Sequence, residues 1–175
     1  MVSKEQTAPD FIAPAASDGA AEMVELFDEI ERVEAVVLLF YPADFVPACT
    51  AELCAVRDAG WESTPGLTVL GIGGDSLFAH AAYADQYDLG FRLVSDFHGG
   101  IADSYDLLAA DWEGHRDIPR RATVVLDSDW NVRFIQPLDD ALAHASPAPI
   151  ERATDTLEEI GLDVQTPRVD YDGPW

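Results

Sequence analysis

Val36-Val-Leu-Leu-Phe40-Tyr41-Pro42-Ala-Asp44-Phe45-Val46-Pro47-Ala-Cys49-Thr50-Ala-Glu52-Leu-Cys54 joins an apolar run to a segment that carries both cysteines of the chain. The run Val36–Tyr41 is continuous, rich in strand-favouring residues and ended by Pro42, which predicts a buried central strand. The residues from Thr50 to Ala59 predict a helix, with Gly60 marking its end. Cys49 then falls at the helix cap, in a loop expected to be exposed, where unpaired backbone N–H groups and the positive end of the helix dipole favour an anion.

Working outward, Leu67–Ile72 is a second apolar run, and the intervening residues suffice for a right-handed crossover, so the two strands should be parallel neighbours. Asp75 and Ser76 can cap a helix reaching Tyr87, with Leu77, Phe78, Ala81 and Ala84 on its apolar side. A short strand is expected over 91–94 and a short helix over 100–108. Towards the start, Ala8–Pro14 reads as an extended arm closed by a turn at Ser17-Asp-Gly, and Met23, Leu26, Phe27, Ile30 and Val33 fall at helical spacing between Glu22 and Val33. Thr123–Leu126 and Val132–Ile135 flank a turn and predict an antiparallel hairpin, followed by a last helix from about Ala148 to Ile160 stopped by Gly161. This order implies one α/β domain over 1–164 with a mixed sheet flanked by helices and an N-terminal extension. Residues 165–175, with Pro167, Pro174 and Trp175, read as a tail that is disordered or docked on a neighbouring molecule.

Composition narrows the function. There are 33 acidic residues against 10 basic ones, a formal charge of −23, and Lys4 is the single lysine. Nucleic acid is an unsuitable partner, because phosphate binding needs a basic patch. The carboxylates are spread along the chain rather than clustered, which argues against a surface for one basic partner. Self-repulsion on this scale is relieved at molar salt, where the Debye length is about 3 Å, so the composition suits a salty cytoplasm. No stretch approaches the roughly 20 apolar residues of a membrane span, and the first residues lack a secretory pattern; a cytoplasmic location is expected. His80, His98, His115 and His144 lie far apart without ligand spacing, so no metal is implied, and each is expected at the surface or in packing. Asp127, Asp129, Asp139 and Asp140 could bind calcium weakly, but solvated turns explain them as well and EF-hand spacing is absent; the four tryptophans suit packing or interface edges.

Two cysteines do not make a disulfide framework in a cytoplasmic protein. Catalytic, redox-sensing and buried roles remain. Placement favours a reactive Cys49; Cys54 alone would suit an apolar helix face. A thiol of pKa about 8.5 is only about 3% thiolate at pH 7, and lowering the pKa to about 6 would bring it to about 90%. An arginine would help, and Arg120 and Arg121 stand just before the Thr123–Leu126 strand. A bond between the two thiols is awkward in an intact helix: residues five apart rise about 7.5 Å, whereas a disulfide needs Cα atoms within about 7 Å. The helix would have to open.

Phe40-Tyr-Pro42, Asp44-Phe45, Cys49-Thr50 and Glu52 together resemble the active-site segment of the peroxiredoxins. So do Ala8-Pro-Asp-Phe11, the stretch from Leu70 to His80, Ser95-Asp96, and Arg121 placed six residues before Asp127. The likeness runs in order from about 8 to 160 and implies a thioredoxin-like fold. A second cysteine five residues after the first is similar to the Q-type, or bacterioferritin-comigratory, subgroup.

The resemblance implies a thiol peroxidase acting on hydrogen peroxide and organic hydroperoxides. Cys49 would be oxidised to a sulfenic acid, Cys54 would resolve it to an intramolecular disulfide, and a thioredoxin or similar dithiol would reduce that bond. Arg121 would stabilise the thiolate and the polarised O–O bond, Glu52 would orient the arginine, and Pro42 would cover the sulfur; Tyr41, Val46 and Thr50 would line the peroxide site. No cofactor is implied, and the chain would act as a monomer or weak homodimer. The departure is Val46, where the family has Thr or Ser, so a hydroxyl donor is missing. That departure motivates a competing reading, a non-catalytic redox sensor or chaperone-like interaction protein on the same fold. A dithiol oxidoreductase would show Cys-x-x-Cys, which is absent.

Overall fold

The computed structural model describes residues 2–175. The predicted central strand is β3 (Ala35–Tyr41), buried along its whole length, and it pairs in parallel with β4 (Leu67–Gly73). A seven-stranded mixed sheet is built around this pair. Its outer members are β1 (Ile12–Ser17), β2 (Ala20–Glu25), β5 (Arg92–Ser95), β8 (Ala122–Asp127) and β9 (Val132–Pro137), in the order β2-β1-β5-β4-β3-β8-β9. β3, β4 and β5 run parallel, and β1 and β8 flank them antiparallel. A separate two-stranded ribbon pairs β6 (Leu108–Ala109) with β7 (Ile118–Pro119).

Because successive side chains of a strand point to opposite faces, β3 feeds two cores. Val37, Leu39 and Tyr41 meet Leu53 and Val56 of α2 (Pro47–Asp58) and Ile150 and Leu157 of α5 (Pro149–Ile160). Val36, Leu38 and Phe40 meet Leu26 and Ile30 of α1 (Leu26–Ile30) and Ile101 of α4 (Gly100–Ser104). Each fully buried aliphatic side chain contributes about 1.5–3 kcal/mol, so a strand buried on both faces is the natural anchor for a site at its end.

Four expectations are corrected. The helical spacing over Glu22–Val33 is mostly not a helix: Ala20–Glu25 pairs with β1 across the Asp18-Gly19 turn, leaving only the five-residue α1, and Met23 and Phe27 are exposed. The helix after Ser76 is α3 (Leu77–Tyr87), capped as expected by the Ser76 hydroxyl accepting from the Ala79 N–H, but its inner face is different. His80 and Tyr83 are buried, whereas Phe78 is 83% exposed. The helix with the cysteines begins at Pro47, three residues earlier than Thr50, with Val46 as its cap. Proline is suited to a first helical turn because its missing N–H is not needed there. Finally, the tail lies on its own chain: the Trp61 indole N–H donates to the Gln165 carbonyl at 2.7 Å, Pro167 is buried, and Val169 and Trp175 pack on the core.

Candidate active site

The register Phe40↔Ala122 sets residue 121 beside the C-terminal end of β3, where the chain turns into α2. Arg121 and α2 are thereby brought together across nearly 70 residues of sequence. Glu52 takes the guanidinium from the side: Arg121 Nε donates to Oε2 at 3.1 Å and Nη2 to Oε1. Nη1 donates to the carbonyl oxygens of Ala141 at 3.2 Å and Ala143 at 2.6 Å. The Cys49 thiol faces the same Ala141 oxygen at 3.9 Å.

Cys49 is the third residue of α2 rather than its cap, and it is 2% exposed rather than sitting in an open loop. Burial pushes its thiol up to about 12; Arg121 pulls the other way, and Glu52 adds to the rise. The expected lowering to a thiolate is therefore absent from this closed packing, because loss of water around the sulfur outweighs the nearby cation. Val46 caps α2 with no side-chain hydrogen bond, where a hydroxyl would serve the first-turn N–H groups.

Pro42 lines an opening of about 160 Å³ together with Trp112, Pro119, Arg121 and Ala141. Thr50 does not offer its hydroxyl to the sulfur: it donates to the Val46 carbonyl at 3.0 Å and meets the Tyr83 hydroxyl at 2.7 Å. Tyr41 likewise turns its hydroxyl to Asp44 at 3.0 Å, while its ring lines a narrow gap shared with Cys49, Glu52 and Arg121. Burial, reinforced by Asp44, holds the Tyr41 hydroxyl well above the usual phenol range. Cys54 is buried one and a half turns further along α2, and both thiols are free. Burial raises its thiol above the ordinary value, while Arg57 lowers it.

Several residues that shape the site were not singled out from the sequence. His80, expected at the surface or in packing, is fully buried; its Nδ1 lies 2.9 Å from both Asp44 oxygens and its Nε2 3.2 Å from the Val94 carbonyl. Asp75 accepts the Asp44 N–H at 2.6 Å. These contacts clamp a loop in which Phe45 holds φ 65°, a left-handed conformation that costs a non-glycine residue energy. Gly73 has to be glycine here, since a Cβ would come within 2.5 Å of the Tyr41 ring and 2.7 Å of the His80 ring. Tyr171, from the tail, reaches Arg121 and Glu52. The segment Asp75-Ser-Leu-Phe-Ala-His80 was a signal for His80; nothing local marks Tyr171.

No group of three or more metal-capable side chains occurs among the described residues, and no helix among them is long and apolar enough to cross a membrane. A buried thiol beside an arginine held by a carboxylate can do nucleophilic chemistry on an electrophilic oxygen, because the leaving oxygen needs fixed donors.

Comparison with known proteins agrees with this arrangement. The model of the AhpC/TSA family matches residues 5–135. A putative peroxiredoxin bcp of Coxiella burnetii is 38% identical over 105 residues, covering 59% of this chain and 66% of that protein. The chloroplastic peroxiredoxin Q of Arabidopsis thaliana is 36% identical over 139 residues, covering 77% of this chain and 59% of that protein. The match thus spans about two-thirds or less of these relatives' own length. Among solved structures, peroxidoxin BcpB of Mycobacterium tuberculosis superposes with a TM-score of 0.77 at 26% identity, over 91% of this chain and 99% of that one. The mixed sheet flanked by helices is the thioredoxin-like fold expected of such proteins, and with three-quarters of its length matched by the family model the chain belongs to the AhpC/TSA family.

Proposed function

We propose that the protein is a thiol peroxidase. The observation that carries this reading is the convergence of the Cys49 thiol and Arg121 on the Ala141 carbonyl, with Glu52 holding the guanidinium. The Cys49 thiolate attacks the terminal oxygen of a hydroperoxide; the O–O bond breaks, the sulfur becomes a sulfenic acid, and the departing oxygen leaves as an alcohol or water after taking a proton. Arg121 supplies positive charge to the thiolate and to the breaking bond. The opening lined by Pro42, Trp112, Arg121 and Ala141 offers the peroxide an approach to the arginine side of the site. Cys54 then attacks the sulfenic sulfur, expelling water and forming the Cys49–Cys54 disulfide, and a thioredoxin-like dithiol returns both sulfurs to thiols.

On this reading Cys49 ionises against the burial that raises its thiol, and Arg121 is the group that opposes the rise. The charge of −23 supports work in a salt-rich cytoplasm, with the chain a monomer or weak homodimer that has no affinity for nucleic acid. Stopped-flow reduction of hydrogen peroxide by the prereduced protein in concentrated KCl tests the function. A rate far above that of a free cysteine is expected. A rate equal to it would favour the second reading, a slow redox sensor, for which Val46 and the raised Cys49 thiol speak.

A further inference from the structure

The Arg121 guanidinium has five N–H donors in a rigid fork, and in this structure all five are occupied. Nε and one Nη2 hydrogen go to Glu52, the two Nη1 hydrogens go to Ala141 and Ala143, and the second Nη2 hydrogen goes to the Tyr171 hydroxyl at 2.9 Å. Tyr171 does more than accept. Its own hydrogen has two acceptors in range, Glu52 Oε1 and the Ala145 carbonyl, each at 3.1 Å. Its ring lies 5.7 Å below the guanidinium carbon and stacks on His144 at 4.5 Å. The arginine is 2% exposed, so its orientation is set by these partners and not by water.

The five acceptors are not equivalent. Glu52 and Tyr171 hold the Nε and Nη2 edges through side chains, whereas the Nη1 edge faces two backbone carbonyls, one of which is also the neighbour of the Cys49 sulfur. Loss of the thiol proton removes the S–H donor from the Ala141 oxygen, the acceptor that the sulfur shares with Nη1, and leaves a negative charge on the Nη1 side of the arginine. The arginine meets that charge only if the rest of the fork stays in place. Tyr171 is 119 residues from Glu52 in sequence and lies outside the segment matched by the family model.

We infer that Tyr171 is a positioning residue for the peroxide chemistry, acting through its hydroxyl to hold the Arg121 fork so that the Nη1 edge is presented to Cys49. The inference rests on the thiol-peroxidase reading. It makes the C-terminal segment part of the site, although it touches neither sulfur nor substrate.

The test uses the full chain with Cys54→Ser, so that Cys49 is the only thiol, and compares it with the same chain carrying Tyr171→Phe or Tyr171→Ala. Tyr171→Phe keeps the ring over Arg121 and against His144 and removes only the hydroxyl. One lost hydrogen bond to a charged group should lower the peroxide rate about tenfold. Alkylation of Cys49 by iodoacetamide should also slow at fixed pH, its profile moving to higher pH, while the melting temperature of Tyr171→Phe stays close to that of the parent. If Tyr171→Phe matches the parent in both reactions, the inference is wrong. If rate and melting temperature fall together with an unmoved alkylation profile, the residue is merely structural and the inference is again wrong. A parent no faster than free cysteine would instead overturn the peroxidase reading, and the alkylation profile would still report on Tyr171.

Discussion

Cys54 and Arg57 stand one helical turn apart on α2, with Arg57 Nη1 3.6 Å from the Cys54 sulfur. The guanidinium is fixed from behind, since Nε donates to Asp58 at 2.8 Å and Nη1 also donates to the Tyr87 carbonyl. Burial raises the Cys54 thiol and Arg57 is the group that opposes it, so this arginine sets how readily the second thiol ionises. Arg57→Gln should therefore slow disulfide formation several-fold and prolong the sulfenic acid on Cys49. Trapping with dimedone, followed by intact mass, measures this. An unchanged lifetime would remove Arg57 from the resolving step.

Val46→Thr should give α2 the side-chain cap it lacks. A Thr cap is worth about 0.5–2 kcal/mol against an apolar residue, less the cost of placing a hydroxyl at a site that is 7% exposed. The same hydroxyl would add a donor near the sulfur, so the peroxide rate should rise by about tenfold or more. A variant that is more stable but no faster would show that the missing donor does not limit the chemistry.

Alkaline pH should destabilise the reduced protein through Cys49. Its folded-state thiol is pushed up to about 12 from an ordinary value of 9.0. Below about pH 9 both folded and unfolded chains keep the proton and the stabilisation is complete; between about 9 and 12 the unfolded chain releases it first, and stability falls. Tyr171, pushed up to about 12 by burial and Glu52, acts in the same direction from about pH 10. Urea unfolding at increasing pH should show a loss on the order of a few kcal/mol that is smaller in Cys49→Ala. Equal losses in the two proteins would mean that the thiol is not held in its neutral form.

Oxidation should open α2. Cys49 and Cys54 are five positions apart, so along an intact helix their Cα atoms are about 7.5 Å apart in rise alone, beyond disulfide reach. Amide exchange across residues 47–58 should accelerate in the disulfide form, while β3 and β4 stay protected. Retained protection across both cysteines in a protein of proven disulfide mass would contradict the opening.

The melting temperature should climb as KCl is raised from about 0.1 M to about 3 M, as mutual repulsion among the carboxylates is screened. A flat or falling profile would detach the acidic composition from salt adaptation.

What the sequence made legible was whatever is decided locally. The run ending at Pro42 had to be a buried strand because its apolar residues are continuous, and Gly60 and Gly161 end helices with φ 70° and 108°. The segment 20–25 failed because its helical spacing competes with pairing to β1, and the partner strand is a tertiary fact. The inner face of α3 failed for a related reason: Phe78 is more apolar than His80, yet His80 finds Asp44 and the Val94 carbonyl inside, which satisfies both ring nitrogens. Of the site, Cys49, Glu52 and Arg121 were visible as a pattern, but the burial that raises the thiol depends on how tightly α2 lies on the sheet. Tyr171 was invisible, since its partners lie 50 and 119 residues away.

Glu52 sits between the two cysteines on the helix that has to open, and it is the carboxylate that grips Arg121. On the peroxidase reading, disulfide formation would carry that grip away from the arginine. A protein that has fired once would then be unready as well as oxidised: its charge cradle would be scattered until reduction lets α2 re-form. Recovery between turnovers would accordingly include a refolding step of its own, and a second peroxide arriving early would find no assembled site to exploit.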